Sequence, residues 1–93
     1  AAEQRYRVFF ESSIDAVVLV GVSTNNSVEA TARTAGNLGF DTHVAADATF
    51  AFARVDYSGT PRSADDVHAM ALANLQGEYA SVASSAELLA LLR

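Results

Sequence analysis

Gly21-Val22-Ser23-Thr24-Asn25-Asn26-Ser27-Val28 joins two stretches of opposite character. Before it, Ala16–Val20 (AVVLV) is an unbroken apolar run, mostly β-branched, bounded by Asp15 and Gly21. Such runs read as strands buried on both faces, as in parallel sheets covered by helices. After it, Val28, Thr31, Ala32, Ala35 and Leu38 recur at helical spacing and predict an inward face. Ser27 is placed to cap that helix, with Glu29 in its first turn near the positive end of the dipole. Glu29 and Arg33 form an i,i+4 pair worth about 0.2–0.5 kcal/mol. Gly39 stops the helix, because a residue without Cβ takes the left-handed terminal conformation cheaply. Gly36 inside it costs about 1 kcal/mol relative to Ala, so it predicts a close approach of the helix to the sheet.

Thr42–Ala46 (THVAA) reads as the next strand, ending at Asp47. Strand, helix and strand in this short span make a βαβ unit, nearly always right-handed. Further out, Arg5–Phe10 (RYRVFF) is a candidate strand, and Ala48–Arg62 a long loop with Phe50, Phe52, Tyr57 and a turn at Ser58-Gly59-Thr60-Pro61. Ser63-Ala64-Asp65-Asp66 opens a second helix, with Val67, Met70, Ala71 and Leu75 on one face and Gly77 as its stop. Tyr79–Ala83 reads as a third short strand, and Ser84 or Ser85 caps a last helix, Ala86–Leu92. The expected class is α/β with a mostly parallel sheet. A strand like Ala16–Val20 wants neighbours on both sides, yet few strands are available. Either the sheet is lean, or part of it lies outside these residues; the second reading is preferred.

Ninety-three residues allow one domain, 1–93, and no second core. Six basic residues, all Arg, stand against eleven acidic ones, a net charge of −5. That balance argues against nucleic acid or an anionic membrane surface as partner. No Cys is present, which excludes disulfides, thiolate nucleophiles and thiolate metal sites within these residues. No apolar run approaches the ~18 residues of a membrane span. The expectation is an acidic cytoplasmic globular domain.

The strand-to-helix corner is the chemically informative part. Backbone N–H groups at a helix start point outward and favour an oxyanion or carboxylate, with Ser27 at the centre. The plainer reading is that Ser27 only caps the helix. A serine nucleophile needs a base, and the candidates are His43, mid-strand, and His68, one turn inside a helix. The Gly-x-Ser-x-Gly elbow is absent around Ser27, and both histidines read more simply as packed or surface residues. Asp47 ends a strand at the carboxyl edge, where ligand sites form, although anchoring a loop also explains it. Asp65 and Asp66 are explained by their helix start. No phosphate loop is present, and two isolated histidines do not make a metal site. Asn25-Asn26-Ser27 matches a glycosylation sequon, but at a buried turn it is a poor acceptor. Phe50 and Phe52 wall a small-molecule pocket, sit in a subunit contact, or plug the core edge.

The run Gly21–Arg33, followed by Ala35-Gly36-Asn37-Leu38-Gly39-Phe40 and Ala46-Asp47-Ala48, resembles the isochorismatase-like cysteine hydrolase family. That family carries G-[VI]-x-T-[ND]-x-C-V, then a helix ending in L-G-[FY], a strand, and D-A. The resemblance continues through Thr49-Phe50-Ala51-Phe52, Val67-His68, Leu72-Ala73-Asn74-Leu75 and Gly77-Glu78-Tyr79-Ala80, and covers about Ile14 to Leu92. It implies a three-layer α/β/α fold and hydrolysis of small amides, ureides or the vinyl ether of isochorismate, with no cofactor and no metal. In the family a Cys thiolate attacks, an Asp acts as base and a Lys supports both. By position, Ser27 takes the nucleophile's place. The Val22–Ser23 bond would be cis, and the Ser23 and Ser27 N–H groups would form the oxyanion hole. Thr24, Asn25, Phe50 and Phe52 are the candidate substrate-binding residues.

Two departures matter. Ser27 stands where the family has Cys, and no Lys is available at any position. The family's Asp and Lys lie far upstream of the nucleophile, so the chain looks like the C-terminal half of the domain. A hydroxyl is a far weaker nucleophile than a thiolate without such neighbours, so the chain alone is expected to be inactive. The alternative is a non-catalytic module that binds a small ligand or assembles with another chain, either as a homo-oligomer or with a complementing chain. An independent serine hydrolase built on Ser27 and His68 is the third reading.

Overall fold

The AVVLV run extends by two residues into β1 (Ala16–Val22) in a computed structural model that describes residues 16–91. A helical segment follows: a wide π-type turn, Thr24–Val28, running directly into α1 (Glu29–Asn37). β2 (Asp41–Phe50) is ten residues long. A small antiparallel hairpin, β3 (Arg54–Val55) with β4 (Pro61–Arg62), precedes α2 (Ala64–Leu75), β5 (Ser81–Ala83) and α3 (Ser85–Leu91). The candidate strand Arg5–Phe10 lies outside the described residues.

β1 pairs with β2 and β2 with β5, both parallel, giving the order β1-β2-β5. Alternate side chains of a strand face opposite ways, and two layers of cover follow. Leu19 and Val44, partners across β1 and β2, belong with Val28, Ala32 and Leu75 to the core under α1 and α2. Val18 and His43, the preceding partners, face a cavity of about 150 Å³ with Leu88 and Leu91 of α3. The class is α/β with helices on both faces of a parallel sheet.

Several expectations need correction. β1 is not buried on both faces: Val17, Val18 and Leu19 are half-buried, and Val20 and Val22 are exposed. The reason is position, since β1 is the edge of the sheet among the described residues. Strand β2 does not stop at Asp47. Leu19 opposes Val44 and Gly21 opposes Thr49, so β2 bulges between these pairs and then resumes. The Thr49 hydroxyl ties the bulge by donating to the Ala45 carbonyl at 3.0 Å. Asp47 projects from it as a loop anchor, accepting from the Ser85 backbone N–H at 2.7 Å and the Ser85 hydroxyl at 2.8 Å. The inward face of α2 is rotated from the expected one: Ala71, Leu72 and Leu75 pack inward, while Met70 is exposed. Along the wide turn, α1 and its C-terminal cap, Val28, Ala32 and Ala35 are buried, whereas Thr31 and Leu38 are exposed.

Helix ends follow their capping residues. Ser63 Oγ accepts from the Asp66 N–H. Ser84 and Glu87 form a reciprocal capping box, with Ser84 Oγ accepting from Glu87 N–H and Glu87 Oε1 from Ser84 N–H. Asp56 closes the β3–β4 loop by accepting from the Thr60 and Ser58 N–H groups and from Arg62 Nε.

These bonds favour the charged carboxylates. The Thr60 N–H and then Arg62 hold Asp56 down to about 2, and Ser85 and Ser84 lower Asp47 and Glu87 respectively. A folded pKa below the unfolded one adds stability above the unfolded value, about 4, that disappears as pH falls through the folded value. The melting temperature should therefore drop between about pH 4 and 2, and Asp56→Asn should flatten that part of the profile. A curve of unchanged slope in the variant would contradict the assignment.

Candidate active site at the carboxyl end of the first strand

The corner after β1 carries the candidate chemistry. The Val22–Ser23 peptide bond is cis, as the resemblance implies. Ser23, extended at φ −98° and ψ 143°, occupies the cap position expected of Ser27. Its carbonyl accepts from the Asn26 N–H at 3.1 Å and the Val28 N–H at 3.2 Å, the residues on either side of Ser27. The Val28 bond spans five residues rather than four, and this widens the turn. Ser27 is therefore not the cap but lies within the first, widened turn. Its side chain is exposed, and its hydroxyl donates to the Val22 carbonyl at 3.1 Å.

Thr24 and His68, forty-four residues apart in the chain, form the anchor of the corner. Thr24 is fully buried. Its Oγ1 lies 2.8 Å from His68 Nδ1, while His68 Nε2 lies 2.9 Å from the Ala46 carbonyl. A carbonyl only accepts, so Nε2 carries the proton in the neutral ring and Nδ1 accepts from the Thr24 hydroxyl. The bulge of β2, the middle of α2 and the corner are thus pinned together. A signal was present: His68 precedes Ala71, Leu72 and Leu75 at the 3, 4 and 7 spacings of one helical face. Thr24→Val keeps the shape but leaves Nδ1 unpaired, so urea unfolding should register a loss of about 1–3 kcal/mol. A loss within about 0.5 kcal/mol, ordinary for a surface change, would show the pin to be idle.

The other candidates separate. Both nitrogens of His68 are engaged by Thr24 and Ala46, so it is not positioned as a base for Ser27. His43 faces α3, with Nε2 3.1 Å from Asp41 Oδ1 and Nδ1 buried without a hydrogen-bond partner. Asp66 and Asn25 line an open groove of about 710 Å³ between the corner, α2 and the hairpin, with Glu29, Arg54, Arg62 and Met70 also on its wall. Ser27, Phe50 and Phe52 do not line it. Phe50 and Phe52 do not plug the core; they are 58% and 68% exposed, beside Val20 at 60% and Val22 at 55%. Among the described residues, no three His, Asp or Glu side chains converge as a metal site, and no helix is long and apolar enough to cross a membrane.

Comparison with known proteins matches residues 7–87 to the isochorismatase domain family. The isochorismatase family protein YrdC of Bacillus subtilis (strain 168) is 38% identical over 78 residues, covering 84% of this chain and 42% of that protein. A solved isochorismatase-family protein from Chromobacterium violaceum ATCC 12472 is 50% identical with a TM-score of 0.82, over 96% of this chain and 46% of its own. One from Oleispira antarctica is 33% identical with a TM-score of 0.77, over 90% and 44%. The chain thus spans less than half the length of these relatives.

Proposed function

This chain belongs to the isochorismatase family, and from that premise we propose that it supplies the nucleophile side of a hydrolase site for small amides, ureides or isochorismate-type vinyl ethers. Ser27 occupies the nucleophile position, and the Ser23 and Ser27 N–H groups are the proposed oxyanion donors. The observation that supports this reading best is the placement of Ser27. It is exposed on the first helical turn beyond β1, at the carboxyl end of a parallel sheet where ligands of such folds bind.

The same placement supports catalytic silence of these 93 residues alone. The Ser27 hydroxyl gives its hydrogen to the Val22 carbonyl and not to a base, and neither Cys nor Lys is present. A hydroxyl so placed lacks the activation that serine nucleophiles need. The proposed setting is cytoplasmic. A second reading, a non-catalytic assembly or ligand-binding module, is favoured by the exposed Val20, Val22, Phe50 and Phe52.

Ser27→Cys, combined with the part of the Chromobacterium violaceum relative that this chain does not match, tests the first reading. Hydrolysis of a panel of small amides and ureides should rise at least ~100-fold over either polypeptide alone, the low end of what a positioned acid–base group contributes. Equal turnover by the unmodified chain alone, or none by the reconstituted variant, would overturn it.

A further inference from the structure

Among the described residues, the order β1-β2-β5 gives β5 a neighbouring strand on one side only. A bare strand edge offers N–H groups to any extended polypeptide, so native sheets blunt their edges. Successive residues of a strand direct their backbone groups to opposite sides. Ala80 bonds away from β2: its N–H donates to the Leu75 carbonyl at 3.1 Å, and its carbonyl accepts from the Gly77 N–H at 3.0 Å. By that alternation Ala80, Val82 and Ser84 turn their N–H groups to the outer edge. All three donors are occupied by the chain itself. Leu75 takes the first; Val82 donates to Gln76 Oε1 at 2.6 Å, and Ser84 to Glu87 Oε1 at 3.1 Å. The Leu75 carbonyl is backbone, and the Ser84–Glu87 pair also caps α3. Gln76 differs. It is exposed, extended at φ −61° and ψ 119° just past α2, and it bridges Ala80 in the parallel sense. It thus runs beside β5 where a further strand would lie.

We propose that Gln76 is an edge guard: its carboxamide stands in for an absent strand and keeps the outer edge of β5 from pairing with β5 of a second copy. The backbone geometry selects that occupant. A two-fold axis beside Val82 sets two β5 strands antiparallel. The Val82 N–H and carbonyl point the same way, so two copies can exchange both bonds as one hydrogen-bonded pair. Ser81, Val82 and Ala83 carry neither charge nor proline to oppose such pairing. The side-chain oxygen of Gln76 is then what withholds the Val82 donor. β5 lies at the opposite side of the sheet from β1 and the Ser27 corner, so this inference stands apart from the function proposed above.

Gln76→Ala in the 93-residue chain tests this, because it removes the acceptor at an exposed position and leaves the core untouched. Amide exchange at Val82 in dilute solution should quicken about tenfold, the scale of one net hydrogen bond. In a sedimentation concentration series the variant should self-associate at least about tenfold more strongly than the parent. Protection of the Val82 amide should return as the concentration rises. Gln76→Glu keeps an acceptor oxygen in the same place and should match the parent in both exchange and association. A Gln76→Ala chain that exchanges faster at Val82 yet associates no more than the parent would make Gln76 a turn closure only, and overturns the proposal. So does added association that leaves Val82 unprotected, or Val82 exchange that the substitution does not change.

Discussion

Gly36→Ala should destabilise the chain by about 3 kcal/mol or more, the upper end of what overpacking costs. Helix propensity alone points the other way, since Ala is favoured over Gly in a helix interior by about 1 kcal/mol. The contact decides the sign. A Cβ on Gly36 would stand 2.5 Å from the Tyr79 carbonyl oxygen, 3.1 Å from its Cα and 3.2 Å from its carbonyl carbon. These are backbone atoms of the segment entering β5, so no rotamer change can relieve them. That segment is itself held, with the Gly77, Glu78, Tyr79 and Ala80 N–H groups all bonded locally. Displacing it would also part the Tyr79 ring from the Arg33 guanidinium, 4.9 Å from the ring centroid and paired with Glu29 at 3.0 Å. Urea denaturation measures the loss. Thr31→Ala, on the exposed side of the same helix, is the control and should change stability by no more than about 0.5 kcal/mol. A Gly36→Ala chain as stable as its parent would mean that the two segments are not in contact in solution.

Gly36 also marks where sequence was enough. A glycine in mid-helix predicts a near neighbour, and the neighbour exists, although it is the turn before β5 and not the sheet. The apolar run Ala16–Val20, the Glu29–Arg33 pair, the Ser63 cap and the stop at Gly39 (φ 89°) are local features governed by local rules, and all were readable. What failed to show depends on partners distant in the chain. β2 runs past Asp47 because Thr49 and Phe50 pair again with Gly21 and Val22 beyond the bulge, while Asp47 itself is held by Ser85, thirty-eight residues on. Met70 and Leu38 obey the apolar period yet are exposed, since periodicity predicts a face and cannot say what covers it.

The candidate site divides the same way. The motif located the corner and the cis bond at Val22–Ser23. It did not reveal that Ser23 takes the cap position, because a bond spanning five residues leaves no trace in side-chain spacing. Nor did it separate Thr24 from Asn25. Adjacent in sequence, they point to different fates: Thr24 is buried on His68, and Asn25 reaches the open groove. The Thr24 hydroxyl thus belongs to the scaffold.

Leu75→Ala should cost about 2–5 kcal/mol, a large part of the stability of a domain this small. Leu75 is fully buried and belongs to the core with Val28, Ala32 and Val44, with Leu19, Leu72 and Val82 packed around it. Its truncation leaves a cavity bounded by strands and helices that are fixed by backbone bonding, so collapse is limited and the upper half of the range is expected. Leu89→Ala, on the exposed side of α3, provides the comparison and should remain within about 0.5 kcal/mol. The consequence extends to the corner. Val28 directly follows Ser27, and its burial against Leu75 seats the widened turn on the core. Loss of that seat should speed amide exchange across Thr24–Val28 before it affects the far end of α1. Uniform acceleration along the whole helix would instead mean that the turn is held by its Ser23 bonds alone.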